Sequence, residues 1–280
     1  EGDDFQNIAN LRPVFLNYGT LTHVRDDYSD ESATFRILAD NFSFTNATTG
    51  QITIGKNYPT TGTWRVNGFV FSGTNGVLTN DGEIEGQGDY TVVLGGSNNT
   101  VTNSGTLCTP LTDGASPTDS WFYEVIDNQG SYNTLINSGT IEAYHSPVNN
   151  VGSYFTLKNE EGGLINSAAG AYAIIDFGDN TVVTNDGALS ARSYTYRVYG
   201  NANNLVNSGT ISADTNYGYR LTSGADNATL SNKTSGVIEA ANQYGVGFWD
   251  STNISVTNAG TVKAGSNYAA YFSNDEDVRI

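Results

Sequence analysis

Leu135-Ile136-Asn137-Ser138-Gly139-Thr140-Ile141 decides the fold, because the chain repeats it. Val101-Thr102-Asn103-Ser104-Gly105-Thr106-Leu107 and Leu205-Val206-Asn207-Ser208-Gly209-Thr210-Ile211 are the same phrase: apolar, any, Asn, any, Gly, any, apolar. Working outward, ten anchor asparagines emerge: Asn17, Asn46, Asn80, Asn103, Asn137, Asn159, Asn185, Asn207, Asn232 and Asn258. The difference in number between neighbouring anchors runs from 22 to 34. The residue two before each anchor is apolar in all ten copies, from Phe15 to Val256. So is the residue two after each glycine, from Leu21 to Val262. Alanine often follows two positions later, as at Ala143, Ala213 and Ala264. The copies at Asn46, Asn159 and Asn232 carry two extra residues before the glycine.

Apolar residues at alternate positions make a half-buried strand. Asn and Gly tolerate positive φ, so Asn-x-Gly is expected to be a tight bend between two short strands. The commoner anchor spacings, from 22 to 26, are too short for a two-helix repeat. They suit one coil of a parallel β-helix with about three short strands. One coil cannot bury its own apolar face, so coils must stack. Stacking sets each anchor asparagine over the next, where side-chain amides form a ladder or satisfy the bend. At ~4.8 Å per coil, the repeats predict a rod of roughly 48 Å. The fold class expected is all-β, a parallel β-helix of about ten coils, each as long as one anchor spacing. No helix and no membrane barrel is expected in it.

Composition agrees. The chain has 280 residues, 38% hydrophobic and 15% charged, with 32 Gly, 33 Asn, 17 Tyr and no Met. No stretch approaches the ~18 apolar residues of a membrane helix. A single cysteine, Cys108, excludes a disulfide framework or a thiolate zinc site within the chain. The net charge of −17 repels phosphate backbones and anionic membrane surfaces, so neither nucleic acid nor membrane insertion is an expected partner.

Two long spacings locate insertions. One lies near residues 55–66 and contains Tyr58, Pro59 and Trp64. The other, near 108–120, contains Pro110 and Pro117 and ends just before Trp121. Residues 1–45 repeat least clearly and are expected to be an N-terminal cap or irregular first coils, with the regular β-helix over 46–280. Glu1 reads as the start of a processed piece. Val278-Arg279-Ile280 reads as a strand entering a further anchor, at a normal spacing beyond Asn258. The β-helix is therefore expected to be truncated at its C-terminus.

The copies Asn103 to Leu107, Asn137 to Ala143, Asn207 to Ala213 and Asn258 to Ala264 resemble the repeats of bacterial autotransporter passengers. These are type V secreted proteins with a right-handed parallel β-helix. The resemblance spans about residues 14 to 280. It implies an extracellular place, on the bacterial surface or secreted through the outer membrane. Passengers of this family serve as adhesins, self-association factors, toxins or carriers of hydrolase domains.

Candidate chemistry is sparse. His23 and His145 lie five anchors apart, roughly 24 Å along a regular rod, too far for one metal. No serine motif accompanies His145. Asp127, Asp176 and Asp250 are the nearest candidates for a polysaccharide-cleaving carboxylate pair, which needs roughly 5–9.5 Å separation. They stand ten, nine and eight positions before their anchors. That misalignment favours solvated turn acids. Gly86-Gln87-Gly88-Asp89 does not recur every nine residues, as a calcium-binding nonapeptide must. Cys108 has no histidine neighbour to activate it. No catalytic residue, cofactor or metal is expected.

Six tyrosines, Tyr90, Tyr123, Tyr172, Tyr194, Tyr219 and Tyr244, fall thirteen or fourteen positions before their anchors. They are expected to stack as a column, either supporting the fold or forming an exposed platform for sugars or protein. Loops leaving a rigid scaffold often carry function, so Tyr58, Trp64 and Trp121 are candidate binding anchors. The function expected is a non-catalytic adhesive or scaffold rod. Its partners are a host or bacterial surface, a glycan, or a second copy of itself. A β-helical polysaccharide hydrolase or lyase, or a filament or surface-layer subunit, is the alternative.

Overall fold

The computed structural model describes residues 13–24, 32–56, 66–86, 90–109, 124–168, 170–222 and 224–280. They form thirty strands in three parallel sheets of ten, with no helix among the described residues. Every third strand returns to the same sheet, so the chain winds as a β-solenoid of ten rungs. A representative rung is Thr134–Asn137, Thr140–Ala143 and Ser146–Asn150, one strand in each sheet.

The repeat phrase spans the corner between the first two sheets. Asn137 ends the first strand, Ser138 and Gly139 turn, and Thr140 opens the second. Within each strand the pleat sends alternate side chains inward. Leu135, Ile141 and Val148 are fully buried, and Leu157, Ile165 and Ile174 repeat them one rung on. The first rung, Val14–Asn17, Thr20–Val24 and Ser32–Ile37, pairs with the second along all three sheets. Its second strand slips register between Thr22 and Val24. The phenylalanines of these first rungs stack through the core, Phe15 on Phe44 at 4.7 Å and Phe35 on Phe69 at 4.6 Å.

The anchor asparagines form an unbroken ladder. From Asn17 to Asn258, each Nδ2 donates to the next Oδ1 at 2.8 Å, nine bonds in succession. Each interior amide also ties the corner down: Asn137 Nδ2 reaches Gly139 O at 3.1 Å and, on the next rung, Leu164 O at 3.2 Å. A buried amide must find all its partners, and only Asn has the length and the two-sided chemistry to do so here.

The bend itself differs from expectation. Neither the anchors nor the glycines that close their corners have positive φ, although Gly162, inside the longer corner after Asn159, does at 84°. Gly139 is glycine because rungs approach closely: a Cβ there would lie 2.1 Å from the carbonyl oxygen of Gly105. The left-handed backbone falls instead five residues before each of nine anchors, from Asn41 to Asn253, at φ between 55° and 60°. Asn occupies six of these positions, Tyr132 and Tyr154 two, and Ala202 one. This second corner joins the third sheet to the first. The two insertions share the remaining corner, since the chain leaves the second sheet at Lys56 and Cys108 and enters the third at Val66 and Glu124.

Candidate functional site

The outer face of the third sheet carries the densest aromatic surface among the described residues. It begins with the strand Tyr194–Val198, where Tyr196 and Val198 point into the core with no exposure. Arg197, between them, therefore points outward and is half-buried. The next rung repeats this at Tyr217–Leu221, with Tyr219 and Leu221 inward and Arg220 outward. Arg197 and Arg220 are in register. So are Tyr172, Tyr194, Tyr217 and Tyr244, one on each of four rungs. Their rings stack at 5.5, 5.4 and 4.9 Å.

The two columns interlock. The Arg197 guanidinium lies 5.1 Å from the Tyr194 ring and 4.6 Å from that of Tyr199, and its Nη1 donates to Tyr172 Oη at 2.7 Å. Arg220 lies 5.2 Å from Tyr217 and 4.5 Å from Trp249, and its Nη1 donates to Tyr194 Oη at 3.3 Å. Gly247 follows Arg220 in register, and a Cβ there would meet the Trp249 ring at 2.2 Å. Glycine at that place makes room for the indole. Beyond it, Tyr271 and Tyr268 continue the band from Tyr244. At the other end Phe177 stacks on Tyr199 at 4.6 Å and is 44% exposed. Burial pushes the Tyr217 hydroxyl up to about 12, with Arg220 pulling the other way. That phenol stays neutral at physiological pH, and the arginines supply the positive charge.

The tyrosine column is thus real but differs in membership. Tyr217 stands where Tyr219 is expected, because two extra residues occupy the turn between Leu221 and Asn227 compared with Val198 to Ala202. Tyr219 faces inward and packs beside Tyr196 at 5.4 Å. Tyr90 is flanked in register by Asn67 and Glu124 rather than by aromatic rings. Tyr123, like the candidate anchors Tyr58, Trp64 and Trp121, lies outside the described residues. A second exposed pair, Tyr132 and Tyr154, stacks at 4.7 Å on the left-handed corner.

The carboxylates do not converge. Asp127 projects from the outer face, is 2% exposed, and accepts from Gln129 Nε2 at 2.6 Å and Asn149 Nδ2 at 3.1 Å. Asp176 is inward, fully buried, and not the solvated turn acid expected. It ends a second polar column, Asn128, Asn150, Asp176, in which Asn128 Nδ2 donates to Asn150 Oδ1 at 2.6 Å and Asn150 Nδ2 to Asp176 Oδ1 at 2.7 Å. Tyr196 Oη donates to its other oxygen at 2.9 Å. Burial raises its carboxyl to about 6 despite these donors. Asp250 is exposed in a turn and accepts from Asn274. Asp127 and Asp176 are two rungs apart on opposite faces of the sheet.

His145 is half-buried, with Nδ1 3.1 Å from Ser146 Oγ, and burial lowers its pKa. His23 Nδ1 meets Thr34 Oγ1 at 2.7 Å. Burial and the carboxylates of Glu85, Glu83 and Glu142 push the Cys108 thiol up to about 12, which keeps it protonated. Among the described residues no three His, Cys, Asp or Glu side chains are grouped to hold a metal.

The family model described as "BigA third pectate lyase-like domain" matches residues 43–277, the second rung through the last. No curated protein and no solved structure matches the chain.

Proposed function

The chain belongs to the family of the BigA third pectate lyase-like domain, and from that premise and the aromatic band we propose a non-catalytic adhesive rod that binds glycan. The observation that carries this is the band itself: four tyrosines in register, one per rung, continued by Trp249, Tyr271 and Tyr268. Stacked face to face, the rings turn their edges and hydroxyls outward, and an edge on every rung offers the hydroxyls of a sugar chain many weak contacts that add by avidity. The resemblance to autotransporter passengers supports an extracellular place for this rod, on a bacterial surface or released from it. Its partners are then surface glycans, of a host or of other bacteria, or a second copy of the rod.

The test is binding of the purified chain to a glycan array, with light scattering of the same sample. A defined glycan signal from a monomer, reduced several-fold to about tenfold by Tyr194→Ala or Tyr244→Ala, supports the reading. No glycan signal, with mass growing with concentration, replaces it by self-association. The family description favours one rival, cleavage of a polysaccharide. Release of unsaturated or reducing ends from any acidic polysaccharide incubated with the chain would establish that rival.

A further inference from the structure

Arg197 and Arg220 make an unusual pair on a chain of net charge −17. They are in register on adjacent rungs, where like charges repel. Neither forms an ion pair with a described residue. A guanidinium carries five N–H donors. Among the described residues each of these arginines uses one, to a tyrosine hydroxyl of the preceding rung. The Nε of both is buried by the surrounding rings and has no acceptor. The rings flank each guanidinium by cation–π contact, which costs the group part of its hydration, and apart from the single bond to tyrosine its Nη donors have no acceptor among the described residues. Two positive forks with unused donors, fixed one rung apart between stacked tyrosines, lack only an anion.

We propose that this pair selects an anionic glycan, bound along the rod with its charged groups against Arg197 and Arg220 and its hydroxyls against the outward edges of the tyrosine column. The proposal rests on the glycan-binding reading above and adds to it the charge of the ligand and its direction. The direction follows from the spacing. Ring centroids in the column recur at 5.5, 5.4 and 4.9 Å, close to the length of one sugar residue in an extended chain. A glycan laid along the axis therefore meets successive rungs with successive residues, and one laid across it does not. Carboxylate and sulfate share the oxygen geometry that a guanidinium fork accepts.

The experiment uses the full chain and three oligosaccharides of one backbone: an oligouronate, its carboxyl-reduced neutral form, and a sulfated form of the neutral one. Binding is followed by calorimetry at low and high salt. The expected result is tighter binding of the uronate or the sulfated ligand than of the neutral form by at least about tenfold, the ratio set by about 1.4 kcal/mol. That preference shrinks as salt rises. Arg197→Gln and Arg220→Gln each lower the ratio of anionic to neutral affinity towards one, whatever they do to the neutral affinity itself. Arg197→Lys and Arg220→Lys keep the charge and the stacked stem, and recover part of the ratio. Which anion binds better identifies the carboxylate or the sulfate as the recognised group. Equal binding of the three ligands, or an unchanged preference in folded Gln variants, overturns the proposal and leaves glycan binding standing. No binding of any of the three overturns both.

Discussion

Asp176 offers the sharpest test of how the core is built. Its carboxyl is raised from 3.8 to about 6, chiefly by burial, although Asn150, Tyr196, Gly178 and Thr181 all donate to it. A folded pKa above the unfolded one means that the native state holds a proton which the unfolded chain releases between those values. The contribution of Asp176 to stability is therefore most favourable below about pH 4, falls as pH rises to about 6, and is flat above. Two pKa units correspond to about 3 kcal/mol. Asp176→Asn keeps the shape of the ladder and removes the titration. Its amide cannot serve as acceptor on both sides, so Tyr196 Oη loses its acceptor at a cost of about 1–3 kcal/mol that does not depend on pH. The signature is the difference between the two proteins. Unfolding free energies from urea titrations at about pH 4 to about pH 7 should move in the variant's favour by about 3 kcal/mol across that window. Parallel curves for wild type and variant would mean that the carboxyl is already ionised inside the solenoid, and would refute the burial argument.

Two other predictions concern groups away from the band. Asn137→Ala removes three donated bonds, to Asn159, Gly139 and Leu164, and should cost about 2–5 kcal/mol in urea unfolding. Cys108, with its thiol at about 12, should react with a disulfide reagent at pH 8 about 10²-fold more slowly than a free thiol, the loss of thiolate being partly offset by its greater nucleophilicity, with the rate rising about tenfold per pH unit. A fast reaction would show that the thiol is not buried beside its neighbouring glutamates as described.

The anchors are legible in the sequence because two independent constraints meet at each one. The ladder admits only Asn, and the approach of rungs at the corner admits only Gly. The left-handed corner is equally regular, with Asn at 41, 75, 98, 180, 227 and 253, but Tyr132, Tyr154 and Ala202 interrupt it and hide its period. The arginines escape a reading by anchors, although Tyr194-Thr195-Tyr196-Arg197-Val198 and Tyr217-Gly218-Tyr219-Arg220-Leu221 spell one phrase twice. Aligning these two phrases, rather than counting back from the anchors, chooses Tyr217 over Tyr219 and sets the arginines in register. Asp176 is misplaced by its type, because acidity alone does not reveal burial. Only its alignment with Asn128 and Asn150 places it in the core.

That the count fails while the register survives explains how such a rod can carry a site. The turn after Leu221 takes up two extra residues, yet Tyr217 still meets Tyr194 and Leu230 still meets Leu205. Asn227, with φ of 58°, restores the corner before the next first-sheet strand begins. Loop length is thereby uncoupled from rung alignment, and each outward position can change without moving its neighbours. The inward positions have no such freedom: the asparagine ladder and the glycine corners hold every rung to one spacing. A surface of stacked rings with two aligned charges needs that spacing, because a rung out of step would separate Arg197 from Arg220 and both from their tyrosines. The buried ladder, at the corner opposite the third sheet, fixes the rung spacing on which this half-buried band depends. A ladder substitution in an arginine-bearing rung, such as Asn207→Ala at the corner across the core from the band, should then weaken ligand binding without touching the ligand, whereas Asn80→Ala, on a rung without arginine, should lower stability and leave binding intact.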